Sequence, residues 1–458
     1  MSKKAKYTLV KVIVALCVVL CVVLTAFELG VTYRTVKAIE VDGTEYSVAE
    51  YNWLYTNSVY EIYDNYYNYY GDLAVYVFNP QGGLETMVYN QETGETWADY
   101  VKAYTDSTFV EMTKLYDEAV ANGFELDEEV YATIDAEWES LTEIAATNGY
   151  SANEYASLYY GRGVNEKVFK EMYEVYYTAF VYAEKVAADV EITDAEIDAY
   201  YEENKADFDT VSFKYYFADG TAAEGEDAAA AMAEAKAEAE AVLDGTSDAT
   251  LSAANRYTHA SVSDSFADWL FEEGRVAGDR GIFEEETGYY VIEFVEVNDL
   301  HYNTVDVRHI LVAPEADAEG NVSEEAWAEA LVLAEKYDEE WKALGGSEAD
   351  FAETAMKYSV DSSSVNGGLY ENVYLGQMVA EFEDWCFDSA RKAADTAIIK
   401  TQYGYHIMYF SGVAEEYYSY VVDSAIRNDR LNTTIDGLID GVEVVDLFGI
   451  KFAGKHLA

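Results

Sequence analysis

Two histidines in apolar surroundings are where this sequence first suggests chemistry. His309 lies in VDVRHILV and His406 in TQYGYHIMYF, runs whose β-branched and aromatic residues predict strands. A single histidine in such a run is ordinarily a satisfied core residue. These two stand in the first and last strands of one stretch, Val305 to Phe410, and both are predicted to point into the same core-lined cleft. Between them the chain supplies Asp361 in YSVDSSS, Thr401 just before the last strand, and Met378 and Phe382 four apart near a helix start. Met and Phe at that spacing would by themselves read as core packing. With Leu369 as a third side they can wall an apolar pocket. Gly367 and Gly368 allow the tight backbone turn that brings the Asp361 loop over it.

The ordered set R-H-I-L, F-A-x-x-A-x-x-x-S-x-D, N-G-G-L, G-Q-M-x-x-x-F-E and G-Y-H-I resembles the parvulin family of peptidyl-prolyl cis/trans isomerases. That resemblance implies catalysis of rotation about X-Pro amides, whose resonance barrier is about 18–20 kcal/mol. Uncatalysed exchange takes on the order of tens to hundreds of seconds. No covalent chemistry and no cofactor or metal is implied. The site must hold the proline ring and bind the twisted amide better than the planar one. By resemblance His309 and His406 share a hydrogen-bond network with the Thr401 hydroxyl, and Leu369, Met378 and Phe382 form the proline pocket. Asp361 falls where family members carry Cys or Asp. An Asp there removes any need for a thiolate and gives it electrostatic or hydrogen-bonding work near the rotating carbonyl. Two departures stand out. The loop APEADAEGNVSEEA after the first strand is acidic, so phosphate recognition is not expected, and the interval from Leu369 to Met378 is one residue longer than in some relatives.

The rest of the chain must position and present this unit. Of 458 residues, 29 are basic and 87 acidic, a net charge of −58, while half are hydrophobic. The chain is therefore globular, with no basic footprint for nucleic acid and a preference for basic or neutral partners. No D-x-D-x-D-G loop is present, so the carboxylate clusters read as solvated faces. Cys17, Cys21 and Cys386 offer no disulfide framework. An apolar run, VIVALCVVLCVVLTAF, follows Lys3, Lys4, Lys6 and Lys11. It predicts a single-pass transmembrane helix over residues 8–28, N-terminus cytoplasmic and the bulk of the chain extracytoplasmic. A cleaved signal peptide is the alternative, although no clear A-x-A site follows the run.

The fold class expected is α+β. Residues 1–34 form the basic tail and anchor. Residues 36–43 read as a short strand and turn, and capping boxes at Ser47/Glu50, Ser151/Glu154 and Thr193/Glu196 announce helices. Residues 35–205 thus make a Tyr-rich helical domain, with some tyrosines lining an amphipathic groove for unfolded chain. Its junction, ITDAEIDAYYEENKADFDTV, resembles that of PrsA- and SurA-type foldases, in which a helical chaperone domain precedes parvulin modules. FADWLF at 266–271 echoes FEDWCF at 382–387, and Phe266 to Tyr290 spans 24 positions, as does Phe382 to His406. Residues 206–299 therefore read as a degenerate parvulin-like module, with Tyr215 and Tyr290 in place of the two histidines and an Ala-rich helix in the middle. Residues 300–412 are the isomerase domain. Residues 413–458 form a C-terminal helix and a strand-like VEVVDLFGIKF, and by the same resemblance residues 415–458 return to the helical domain. The implied partners are unfolded or nascent secreted polypeptides containing X-Pro bonds. The alternative function is a catalytically inactive, peptide-binding holdase.

Overall fold

In this computed structural model residues 30–455 are described, apart from 224, 226, 318 and 319, together with residue 457. The predicted span over residues 8–28 lies outside the described residues, among which no helix is long and apolar enough to cross a membrane. The fold is mixed α+β, and the chain divides into two compact units, Met1–Val190 with Arg427–Ala458, and Glu191–Ile426.

The first unit begins with the hairpin Lys37–Val41 (β1) and Thr44–Ser47 (β2), whose turn places Asp42 and Gly43 at positive φ. Four long helices follow: Val48–Tyr70 (α1), Trp97–Ala121 (α2), Glu128–Thr147 (α3) and Glu166–Ala188 (α4). Trp53, Phe109, Met112 and Phe169 centre their core. The three expected capping boxes are present, and Thr96/Asp99 and Ser347/Asp350 add two more. Both extra boxes use Asp rather than Glu at the third position, which is why the S/T-x-x-E pattern passed over them. Two buried tyrosines keep a partner for the hydroxyl: Tyr51 donates to Asp106 at 3.0 Å, and Tyr46 shares a hydrogen bond with Thr113 at 2.7 Å. Toward the end of α1 and just beyond it the tyrosines turn outward, and Tyr69 and Tyr76 are each 81% exposed. The tail strand, expected to run through VEVVDLFGIKF, is confined to Val444–Asp446, paired antiparallel with β1. Phe448–Phe452 instead turns as a 3-10 helix, because Gly449 presses onto β1, where a Cβ would meet the Lys37 carbonyl oxygen at 2.4 Å.

The second unit contains the repeat. Thr210–Asp219 (β3), Ser252–Thr258 (β4), Arg280–Glu285 (β5) and Gly288–Val297 (β6) form an antiparallel sheet in the order β4-β3-β6-β5. Asn303–Val312 (β7), Leu369–Val373 (β8), Thr396–Thr401 (β9) and Gly404–Glu416 (β10) form another in the equivalent order, β8-β7-β10-β9. The registers correspond as well. Tyr215 pairs with Ile292 as His309 pairs with Met408, and Phe217 pairs with Tyr290 as Leu311 pairs with His406. One face of the first sheet is covered by the Ala-rich helix Ala228–Leu243 (α5), through Ala235, Ala239 and Val242.

Strand alternation sorts the second sheet into two faces. Ile310, Val312, Ile407 and Tyr409 pack beneath helices Glu324–Leu344 (α6) and Glu348–Tyr358 (α7). Val305, Val307, Met408 and Phe410 lie on the other face, against the short helix Ala380–Cys386 (α8), which carries Phe382. His309 and His406 share the parity of this second face, so they are buried at the end of an apolar layer.

Candidate active site

β7 and β10 are neighbours, and their register places the two imidazoles side by side. His309 Nδ1 lies 2.9 Å from His406 Nδ1, with the rings nearly parallel. His309 is 2% exposed and His406 5%. A buried polar group costs stability unless it is hydrogen-bonded, and both ring nitrogens of each histidine have a partner. His406 Nε2 meets Thr401 Oγ1 at 2.8 Å across the tight β9–β10 turn. His309 Nε2 meets Asp361 at 3.2 Å and Ser363 Oγ at 3.3 Å.

Asp361 caps the 3-10 turn Ser362–Asn366. Its Oδ1 accepts from Ser363 N–H at 2.9 Å, Ser363 Oγ at 2.5 Å and Tyr370 Oη at 3.1 Å, besides His309. The hydrogen bond from His309, and then those from Ser363, hold this carboxyl well below the usual carboxylate range, although burial pulls the other way. Burial, with the neighbouring His309 second, pushes His406 down from 6.5 to about 4. Cys386 lies in the same apolar layer, and burial raises its thiol to about 12, which keeps it protonated.

These facts fix the protons of the neutral pair. A carboxylate only accepts, so His309 Nε2 carries a hydrogen toward Asp361 and Nδ1 is bare. His406 Nδ1–H then donates to His309 Nδ1, and His406 Nε2 accepts the Thr401 hydroxyl. Thr401 Oγ1 in turn accepts from Tyr403 N–H at 3.1 Å. In the reverse arrangement His309 Nδ1–H donates to His406 Nδ1 and His406 Nε2–H donates to Thr401 Oγ1, while the bond to Asp361 keeps its direction and no heavy atom moves. The four polar groups thus form one chain with two proton arrangements.

The turn bearing Asp361 is held from behind. Arg308 donates to the carbonyls of Asn366 at 2.9 Å and Gly367 at 3.1 Å, and to Glu348 at 3.0 Å. Gly368 adopts φ 72° and approaches β7 so closely that a Cβ would stand 2.1 Å from the His309 carbonyl oxygen. Only glycine fits.

Two of the three residues expected to wall the pocket lie in the apolar layer beside the histidines. Phe382, 2% exposed, sets its ring edge-on to both imidazoles, at 5.4 Å from His309 and 5.6 Å from His406. Met378 packs at the margin of the same cluster. Leu369 does not belong to the wall. It pairs with Arg308, which puts it on the sheet face opposite His309, while Tyr370 pairs with Val307 and takes the site face, its ring 5.3 Å from His309. A bulge between Tyr370 and Val373, with Asn372 at φ 52°, restores parity further along β8. Sequence reasoning missed Tyr370 and Ser363. The local D-x-S spacing, which favours a side-chain turn onto the backbone two residues on, was the available signal for Ser363.

Comparison with known proteins accords with this geometry. Residues 298–412 match a sequence model of the PPIC-type PPIase domain, and residues 192–306 match a second model of the same description. The second unit therefore carries two domains of the parvulin class. Among individual proteins, the chain is similar to the foldase protein PrsA of Caldanaerobacter subterraneus subsp. tengcongensis, 31% identical over 158 residues. That match covers 34% of this chain and 44% of the relative, so less than half of the relative's length is spanned. Crystalline PrsA of Bacillus subtilis aligns over 78% of this chain and 91% of its own, at 16% identity and a TM-score of 0.31. One of two structurally related SurA-like chaperones of Campylobacter jejuni aligns over 77% and 94%, at 14% identity and a TM-score of 0.19.

Proposed function

We propose that this chain is a foldase working outside the cytoplasm, in which residues 300–412 accelerate cis/trans isomerisation of X-Pro bonds in unfolded or nascent secreted polypeptides. The observation that carries this reading is the unbroken chain Thr401–His406–His309–Asp361 beside Tyr370, Met378 and Phe382. In this reading Met378 and Phe382 hold the proline ring, with Tyr370 as the third side. An apolar surface favours the less dipolar, twisted amide over the planar one. Asp361 contributes charge. Its four donors converge on Oδ1, leaving Oδ2 for the substrate. A negative oxygen near the rotating carbonyl opposes the electron density that amide resonance places there, lowering the cost of breaking that resonance. His309, His406 and Thr401 hold the carboxylate in place and keep it ionised.

The other assignments follow the same logic. The helical domain, residues 35–205 joined by 415–458, cradles unfolded chain, supported by its outward tyrosines Tyr67, Tyr69, Tyr70 and Tyr76. The apolar run at residues 8–28 anchors the protein, with the bulk of the chain extracytoplasmic. Tyr215 and Tyr290 in the first module support a non-catalytic role for residues 206–299.

The test is isomerisation of an X-Pro peptide by the full chain, followed by protease coupling or NMR exchange, beside His309→Ala and Phe382→Ala. Acceleration that collapses in both variants supports the enzyme. Folded protein that binds peptide without accelerating exchange would establish the holdase reading instead.

A further inference from the structure

Within the second unit, the first parvulin module touches the second close to the proline pocket. The contact is made by one residue in an unusual backbone state. β3 and β4 pair Val211 with Tyr257 and Phe213 with Ala254, so Asn255 and Arg256 both stand opposite Ser212 in a bulge. Arg256 has φ 57°, a left-handed conformation that costs a non-glycine residue about 1–2 kcal/mol. Bulges of this kind re-aim a side chain. The Arg256 N–H donates to Ser212 Oγ at 3.3 Å, and that hydroxyl is itself held by Asn298 at 3.0 Å.

The side chain is aimed at Tyr302, with its guanidinium carbon 5.2 Å from the ring centroid. In a chain with 87 acidic residues, Arg256 forms no ion pair with any described carboxylate and lies over an aromatic face instead. Tyr302 is fixed on its other sides. It stacks on Tyr417 at 5.1 Å, sets an edge to Phe387 at 6.1 Å, and accepts from Leu375 N–H at 3.2 Å through its hydroxyl. Tyr417 also packs on Tyr374 at 5.1 Å. Gly376, at φ 93°, lies against the Arg256 stem, where an added Cβ would come within 3.4 Å of Cδ. Arg256 and Tyr302 therefore hold Leu375 and Gly376, with Tyr374 joined to Tyr302 through Tyr417, and the chain reaches Met378 two residues after Gly376.

We propose that Arg256 is a positioning residue for the isomerase site: through Tyr302 the first module braces the loop Tyr374–Gly376 and so fixes Met378 in the wall of the proline pocket. This assigns the first module a task that needs no catalytic residues of its own. It rests on the isomerase reading of the second module.

The experiment compares the full chain with Arg256→Gly, Arg256→Lys and Tyr302→Phe. Glycine adopts φ 57° without penalty, so Arg256→Gly removes the brace while relaxing the backbone, and the protein remains folded. In Arg256→Gly, amide exchange at Leu375 and Gly376 is expected to quicken about fivefold, and KM for an X-Pro peptide to rise about fivefold with kcat unchanged. Arg256→Lys, which keeps the cation, should restore most of both. Tyr302→Phe should quicken Leu375 exchange alone, because it removes that amide's acceptor. Exchange and KM both within twofold of the parent in Arg256→Gly would overturn the proposal. So would a lower kcat at unchanged KM together with a lower Tm, the pattern of a residue needed only for folding. The exchange readout is independent of catalysis, so a parent chain without isomerase activity would defeat the isomerase reading while the brace itself is still decided.

Discussion

Acidification reads the buried histidine pair directly. His406 is pushed from 6.5 to about 4, first by burial and then by His309 beside it. The sign follows from linkage. The folded state holds this group neutral below its ordinary value, so on acidification the unfolded chain takes up the proton first. The contribution is fully present above pH 6.5 and is lost as pH falls from there to about 4. At about 1.4 kcal/mol per pH unit the whole window is worth about 3 kcal/mol, a sizeable share of the stability of a single domain. The chain has five histidines, so selective ¹³Cε1 and ¹⁵N labelling gives a spectrum that single substitutions can assign. The expected result is a His406 resonance with a midpoint near 4, ring-nitrogen shifts placing its proton on Nδ1 at pH 7, and a denaturant midpoint lower at pH 5 than at pH 7. A His406 midpoint near 6.5, or a proton on Nε2 in the neutral pair, would refute the assignment of the network.

Gly368→Ala introduces a Cβ against the His309 carbonyl at a left-handed φ and should cost about 2–4 kcal/mol, measured by denaturant unfolding, with loss of isomerase activity. Thr401→Val leaves His406 Nε2 without its buried partner; a loss of about 1–3 kcal/mol and a fall in kcat/KM of about tenfold are expected by unfolding and peptide assays. Ser363→Ala removes two of the contacts made by that hydroxyl, so the Asp361 carboxyl should titrate higher in a ¹³C-detected experiment, with the acid limb of the activity profile moving upward in step.

Which parts of this arrangement a sequence can show depends on how spacing maps onto geometry. Thr401 and His406 are legible because a tight turn between antiparallel strands makes residues five apart into neighbours. His309 and His406 are legible because they lie in the strands that open and close one sheet, and those strands are paired. Parity is a different matter. Leu369 and Tyr370 are equally plausible wall residues on paper, and one residue of register decides which faces the histidines. The bulge at Asn372 that sets this register has no motif, since a positive φ at a non-glycine residue is imposed by packing. The same holds for Arg256, whose direction is set by a bulge in the other module. Ser363 was hidden for another reason: it is one of three consecutive serines, and only the position two beyond the capping carboxylate makes it special.

The two modules share one register and differ in what sits at paired positions. A histidine pair can pass hydrogen bonds inward because each ring offers a nitrogen at either end, one donating and one accepting. A phenol has one oxygen at one end, so Tyr215 and Tyr290 cannot link a hydroxyl on one side to a carboxylate on the other. Their rings sit 6.2 Å apart, and Phe266 approaches Tyr290 at 5.4 Å much as Phe382 approaches His406 at 5.6 Å. The apolar packing of the site is therefore retained where its polar chain is not. The interval between these positions also differs: 51 residues separate Tyr215 from Phe266, against 73 between His309 and Phe382, and the longer one holds Asp361 and the two glycines. The strand order survives, because a sheet that keeps its core keeps its edges, and one of those edges is β4, which presents Arg256 to the neighbouring pocket loop.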